Sequence, residues 1–204
     1  QAKGLRALGA LSLAAVIQAL SFGPYHHELL QGLSFAAALS FIDRKSPAGA
    51  LRFFYFHWLT LLAGLSWLHI SMSTFGGMHP ALSLFSLMVF CAYLACFGTA
   101  AFLLYGLFVR RHWVRSALDG GLCLGSFWGL FEVFRGMVFT GFPWLSVGYA
   151  HIDGILNTWA PWVGVYGVSA WAVCLSTWFA GMFQADSHDR HRLVIAFALM
   201  MVLS

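Results

Sequence analysis

Long apolar runs, broken at intervals by short segments that hold nearly all of the charge, leave this chain few ways to fold. A helix needs roughly 20 apolar residues to cross a bilayer, with about 17 to 25 the common range. Candidate spans cover residues 5–22, 28–42, 53–71, 81–109, 117–138, 161–183 and 193 to the end, the second of them short. Composition points the same way, because apolar residues make up 60% of the chain and charged residues 9%. A soluble domain carries about 25% charged residues, and a water-soluble globule of this composition would leave a large apolar area facing solvent. The expected fold class is therefore all-α, a polytopic transmembrane helix bundle of about six complete spans and a truncated seventh, forming one domain over residues 1–204.

The formal net charge of +4 would suggest nucleic acid as a partner in a soluble protein, but the positions of the charges carry more information than their sum. Lys3 and Arg6 precede the first span. Arg44, Lys45 and Arg52 follow the second, Arg110, Arg111 and Arg115 the fourth, and Arg190 and Arg192 the sixth. All of these gaps belong to one side, whereas the other side holds only Arg135. The positive-inside bias puts the N-terminus and the basic gaps in the cytoplasm. A cleaved signal peptide fits poorly, since no small-residue cleavage site follows Lys3 and Arg6 before more apolar sequence. The last run, VIAFALMMVLS, is too short to finish a crossing, and the first residue is Gln1. The expectation is a longer protein whose continuation emerges on the extracytoplasmic face.

The connections expected on that face are residues 21–28, SFGPYHHE, residues 73–80, STFGGMHP, and a long one over 135–162. The third gathers Phe139, Phe142, Trp144, Tyr149, Trp159 and Trp162 with few charges, too apolar for an ordinary solvated loop. It is expected to lie along the membrane interface as an aromatic loop over 136–160. Gly141, Pro143 and Gly148 deny it a continuous helix.

The string RGMVFTGFPWLSVGYAHIDG with the preceding Glu132, the upstream TFGGM at 74–78, LSFGPY at 20–25 and APWVGVYGVS at 160–169 together resemble the apolipoprotein N-acyltransferases of bacterial inner membranes. The resemblance runs across nearly the whole chain in order. It implies a membrane bundle carrying an extracytoplasmic nitrilase-like domain after residue 204. In that family a cysteine thiolate takes an acyl chain from a phospholipid and passes it to the α-amino group of a diacylglyceryl-modified cysteine on a lipoprotein. A Glu serves as general base and a Lys helps stabilise the oxyanion, so that one hard transfer becomes two easier ones. Those three residues belong to the later domain, and the resemblance implies no catalytic residue in this chain. The implied partners are a membrane phospholipid, a lipoprotein and the bilayer, with no nucleic acid, no cofactor and a monomeric state.

Four cysteines, Cys91, Cys96, Cys123 and Cys174, lie within apolar spans, where burial keeps a thiol protonated and unreactive; the expectation is small buried hydrophobes. His26 with His27, and His188 with His191, are read as solvated or interfacial rather than metal ligands, because neighbouring acids are few. His57 and His69 are read as helix-packing residues. Glu132 and Arg135, at i and i+3 near the outer end of the fifth span, are expected to pair, since isolated charges in a membrane are costly. A functional reading adds contact between Arg135 and a lipid phosphate or carbonyl. Phe142, Pro143 and Trp144 are either an aromatic belt anchor or a wall of the path by which an acyl chain enters, and the resemblance favours the wall. Candidate substrate-binding residues are thus Glu132, Arg135, Phe142, Pro143, Trp144 and Tyr149, with no metal site. Gly76 and Gly77 predict a tight turn before Met78, and Gly164 and Gly167 close helix packing.

A transporter or channel should show ionisable residues deep in several spans, or broken helices in two related halves, whereas the deep positions here are almost wholly apolar. A noncatalytic anchor for a partner such as a polyprenol-sugar synthase is the remaining alternative.

Overall fold

The computed structural model describes residues 2–23, 27–183 and 187–203, and among these every regular element is helical. The elements are α1 (Ala2–Leu20), α2 (Glu28–Ser40), α3 (Pro47–Gly64), α4 (Trp67–Ile70), α5 (Pro80–Arg110), α6 (Ala117–Arg135), α7 (Ala160–Met182) and α8 (Ser187–Leu203). Three segments are long and apolar enough to cross a membrane: Pro80–Arg110, Ala117–Arg135 and Ile155–Met182. The pair Pro47–Gly64 and Trp67–Phe75, bent by 51°, makes a fourth. On that measure three or four segments among the described residues are long enough to cross, and the expected six with a seventh rest on the shorter helices α1, α2 and α8.

The helix starts are written locally. Ser46 Oγ accepts the Gly49 N–H at 3.0 Å and Pro47 follows, its fixed φ suited to a first turn. Because of that cap α3 begins six residues before the first residue of the apolar run. Ser116 and Asp119 form a reciprocal capping box at the start of α6. Within the third span, expected over 53–71, the chain bends after Gly64, continues as α4 and a π-helical turn over Ser71–Phe75, and ends at Gly76. Gly77, at φ +65°, supplies the left-handed residue that turns the chain into Met78, as the glycine pair predicted.

The core is aromatic where α2, α3, α5 and α6 meet. Phe53 stacks on Phe102 with centroids 4.5 Å apart, Phe35 meets Trp128 edge-on at 5.2 Å, and all four side chains are buried. Such pairs are each worth about 0.5–1.5 kcal/mol beyond the area they bury. Phe35 and Trp128 lie far apart in sequence, so the contact joins the two halves of the bundle.

The broadest contact joins α6 to α7. Gly121, Gly125 and Gly129 recur every fourth residue on α6, and a Cβ at Gly125 would strike the Ala170 carbonyl, at Gly129 the Tyr166 carbonyl and at Gly121 the Trp178 ring. Small residues at this spacing let two backbones approach. The expectation for Gly164 and Gly167 is corrected. Gly164 breaks α7 with φ +66° and has open space where a Cβ would stand, and a Cβ at Gly167 would meet Val163 of its own segment.

The basic residues gather at the end of the bundle where α3 starts and α5 ends: Arg44, Lys45 and Arg110 line one depression there, and α6 begins nearby beside α7 and α8. The segment 136–159 closes the other end. Cys91 and Cys174 are buried and Cys123 is half-buried, but Cys96 is exposed, because it lies on the outer face of α5. His57 packs on Trp128 with centroids 5.1 Å apart, and His69 contacts Ser83 Oγ, both helix-packing contacts. His26 lies outside the described residues, as does the side chain of His188.

Candidate functional site

The connection between α6 and α7 is built from three short 3-10 turns, Val138–Thr140, Val147–His151 and Ile155–Trp159. Three non-glycine residues in its first half, Phe139, Thr140 and Leu145, have positive φ. Each such conformation costs on the order of 1 kcal/mol or more and persists only where surrounding contacts hold it. Phe139 meets Tyr93 of α5, and Leu145 is held by Gly64 of α3 and, through Ser146 and Val147, by the last turn of α6.

Glu132 and Arg135 do pair, with Arg135 Nη2 3.8 Å from Glu132 Oε1, and both side chains are buried, Arg135 to 2% exposure. The pair also binds the loop. Glu132 Oε1 accepts the Trp128 indole N–H at 2.9 Å and the Val147 backbone N–H at 3.0 Å. Arg135 Nη2 donates to Ser146 Oγ at 2.9 Å, and the Ser146 hydroxyl donates to the Pro143 carbonyl at 2.8 Å. The Arg135 carbonyl accepts the Phe142 N–H at 3.0 Å. One buried ion pair therefore fixes the backbone on both sides of Trp144. Glu132 Oε2 and Arg135 Nε have no partner among the described residues, and together with His57 these two residues line a void of about 10 Å³, about the volume one water needs.

Phe142 packs edge-on against Phe90 of α5 at 4.9 Å and lies against Trp144 at 5.0 Å. Leu145 occupies the space beside Gly64, where a Cβ would collide with it. Trp144 is 54% exposed and Phe139 84%. Tyr149 is partly exposed and donates its backbone N–H to the Ser146 carbonyl at 2.9 Å. Of the residues picked from the sequence, Glu132, Arg135 and Pro143 thus meet in one buried clamp, Phe142 and Trp144 form the surface that the clamp supports, and Tyr149 stands on the next turn.

The second half of the loop is tied to other helices. Gly148 donates its N–H to Ser169 Oγ of α7 at 2.7 Å. His151 Nε2 meets Gln31 Oε1 of α2 at 2.9 Å, its Nδ1 lies 3.6 Å from Glu28 Oε2, and Glu28 accepts the Ile155 N–H at 3.0 Å. Burial lowers the pKa of the His151 imidazole from its usual value, and the Glu28 carboxylate partly offsets that. Glu28, Gln31 and His151 stand at one end of an apolar cavity of about 190 Å³ that runs along Ala172, Leu175 and Ser176 of α7. Reading the sequence did not single out Gln31 or His151, because the partners are 120 residues apart. The available signal was Gln31 itself, an amide in an otherwise apolar helix. Among the described residues no three His, Cys, Asp or Glu side chains come together as metal ligands would.

Comparison with known proteins gives a consistent result. A family model described as the apolipoprotein N-acyltransferase N-terminal domain matches residues 14–178. The chain is 36% identical over 198 residues to the apolipoprotein N-acyltransferase of Ralstonia nicotianae, covering 95% of this chain and 36% of that one. It is 38% identical over 148 residues to that of Nitrosomonas europaea, covering 71% and 29%. Against that of Pseudomonas putida it is 37% identical over 161 residues, covering 78% and 32%. The chain spans about a third of the length of these relatives.

Proposed function

Since the chain belongs to the apolipoprotein N-acyltransferase family and matches its N-terminal domain, we propose that it forms the membrane part of an enzyme that moves an acyl chain from a phospholipid to the α-amino group of a lipoprotein's diacylglyceryl-cysteine. In this reading the bundle sits in a bacterial inner membrane as a monomer with six complete crossings and a seventh that leads outward. Its basic end faces the cytoplasm. The thioester chemistry belongs to a nitrilase-like domain beyond residue 204, so residues 1–204 alone are inactive, and the bundle's task is to anchor that domain and present lipid to it.

The observation that carries the role of the bundle is the clamped, strained loop around Trp144. A solvent loop has no use for a buried ion pair spent on holding its backbone, and a plain interfacial anchor has none for three left-handed side-chain-bearing residues. A rigid aromatic face, Phe142 with Trp144, is what a wall needs if it is to guide a flexible acyl chain to a fixed nucleophile. Positioning of this kind matters steeply, because displacement by about 1 Å can cost about 100-fold in rate. Tyr149 on the next turn is also exposed, and Arg135 acts from beneath the loop. The test is lipoprotein N-acylation by the full-length protein in liposomes, normalised to folded protein. Trp144→Ala is expected to lower turnover by about 10-fold or more with insertion unchanged. Trp162→Ala, which removes the most exposed tryptophan of the same region, is expected to act near wild type. Equal activities for the two variants would return Trp144 to the aromatic belt.

A further inference from the structure

At the end of the bundle opposite the 136–159 loop, the turn after α2, the first turn of α3 and the last two turns of α5 enclose a depression of about 120 Å³. Arg44, Lys45 and Arg110 stand around it, and its floor is apolar, formed by Ala50, Phe102 and Leu103. Gly106 makes this geometry available, since a Cβ there would press on the Arg44 carbonyl. Arg44 Nη1 donates to the hydroxyl of the buried Tyr105 at 3.1 Å, which fixes the guanidinium in place. Its Nη2 is buried with no partner among the described residues, and a charged donor taken out of water without an acceptor is unfavourable. Asp43, the acid nearest in sequence, accepts the Lys45 backbone N–H at 3.0 Å and does not line the depression. The positive end of the α3 dipole adds to the field of the three cations.

An occupant must bring negative charge with several acceptor oxygens and also an apolar body for the half-exposed Leu103. A free phosphate meets the first requirement and not the second, and a neutral acyl chain the reverse. We propose that this depression is a binding site for one anionic phospholipid of the surrounding bilayer, its phosphate taken by Arg44, Lys45 and Arg110 and its upper acyl chain lying on Leu103. Arg44 keeps an unsatisfied donor beside a depression that Lys45 and Arg110 also line, and charge-assisted donors of this kind suit phosphate oxygens. The proposal is independent of the role given to Trp144, because the two regions share no residue and lie at opposite ends of α3.

The experiment reconstitutes the full-length protein in vesicles of phosphatidylglycerol and phosphatidylcholine in equal parts, then extracts it and reads the retained lipid by native mass spectrometry. Wild type is expected to retain phosphatidylglycerol over phosphatidylcholine by about tenfold, a preference set by charge-assisted contacts. Arg44→Gln with Arg110→Gln is expected to bring the ratio to near parity. Arg115→Gln, at the same end but outside the depression, should leave it unchanged. If the double variant does not fold, the thermal stability of wild type decides: phosphatidylglycerol should raise the unfolding temperature where inorganic phosphate at equal concentration does not. Equal retention of both lipids by wild type overturns the proposal. So does an Arg115→Gln effect as large as that of the pair, which would indicate a diffuse surface potential, or equal stabilisation by inorganic phosphate, which would indicate a free-anion site.

Discussion

The loop between α6 and α7 is fastened at two places by buried polar groups, and the two fastenings follow different rules. The first, Glu132 with Arg135, is drawn from a single helix turn, is enclosed on all sides, and places several hydrogen bonds on the backbone over 142–147. The second, Glu28 and Gln31 with His151, joins a separate helix to the loop at the edge of a cavity, and its Glu28 carboxylate is partly exposed. A closed network holds one geometry, because any departure exposes an unpaired charge to a medium that cannot solvate it. A network open on one side can yield. The half of the loop that carries Trp144 is accordingly the fixed half, and the half that carries His151 is the adjustable one.

The largest expected effect breaks the first fastening. Glu132→Leu leaves Arg135 buried and unpaired and releases the Val147 and Trp128 N–H groups, a loss of about 3–5 kcal/mol for a broken buried pair. Thermal unfolding in detergent followed by tryptophan fluorescence should show a large drop in midpoint, and a midpoint equal to wild type would erase the distinction between the halves. A smaller effect is expected at the second fastening. His151→Leu removes one hydrogen bond at a site already partly open, costing about 1 kcal/mol. The same unfolding measurement, with Glu132→Leu beside it, should rank the two, and the reverse order would invert the comparison.

The smallest effect is one of pH and belongs to His151 alone. Its folded pKa lies below its unfolded value, so the folded state binds fewer protons, and its contribution to stability is present above about pH 6.5 and lost as the pH falls through that value. Between pH 7.5 and pH 5.5 the wild-type midpoint should fall slightly more than that of His151→Leu. Identical slopes for the two proteins would mean that Glu28 cancels the desolvation of the imidazole.

Much of this architecture was legible in the residues. Spacing of charge gave the helical class and gathered Arg44, Lys45 and Arg110 at one end, and the i, i+3 spacing of Glu132 and Arg135 gave their pairing. The signals that were read are local ones, in which one element carries the whole pattern. What the pair does to the loop was not legible, because Ser146 and Val147 are recruited through backbone turns whose positive φ at Leu145 no residue type announces. Gln31 with His151 was hidden by distance along the chain. The glycine seam at 121, 125 and 129 is present as a pattern, whereas the pair Gly164 and Gly167, spaced to suggest packing, is not part of it. A Cβ at Gly164 would meet open space and one at Gly167 would meet Val163 of the same helix among the described residues, and spacing alone does not report which face a neighbour covers.

One more consequence follows from α2 being only 13 residues long. At about 1.5 Å per residue it reaches ~20 Å, while α5, with 31 residues, reaches ~46 Å, and the hydrocarbon core is ~30 Å thick. No single bilayer thickness matches both lengths, so a crossing by α5 requires that helix to lean or protrude, and α2 falls short of a full crossing. Shorter than both of its neighbours, α1 with 19 residues and α7 with 23, α2 lines only part of their depth and leaves the crossing to the longer helices.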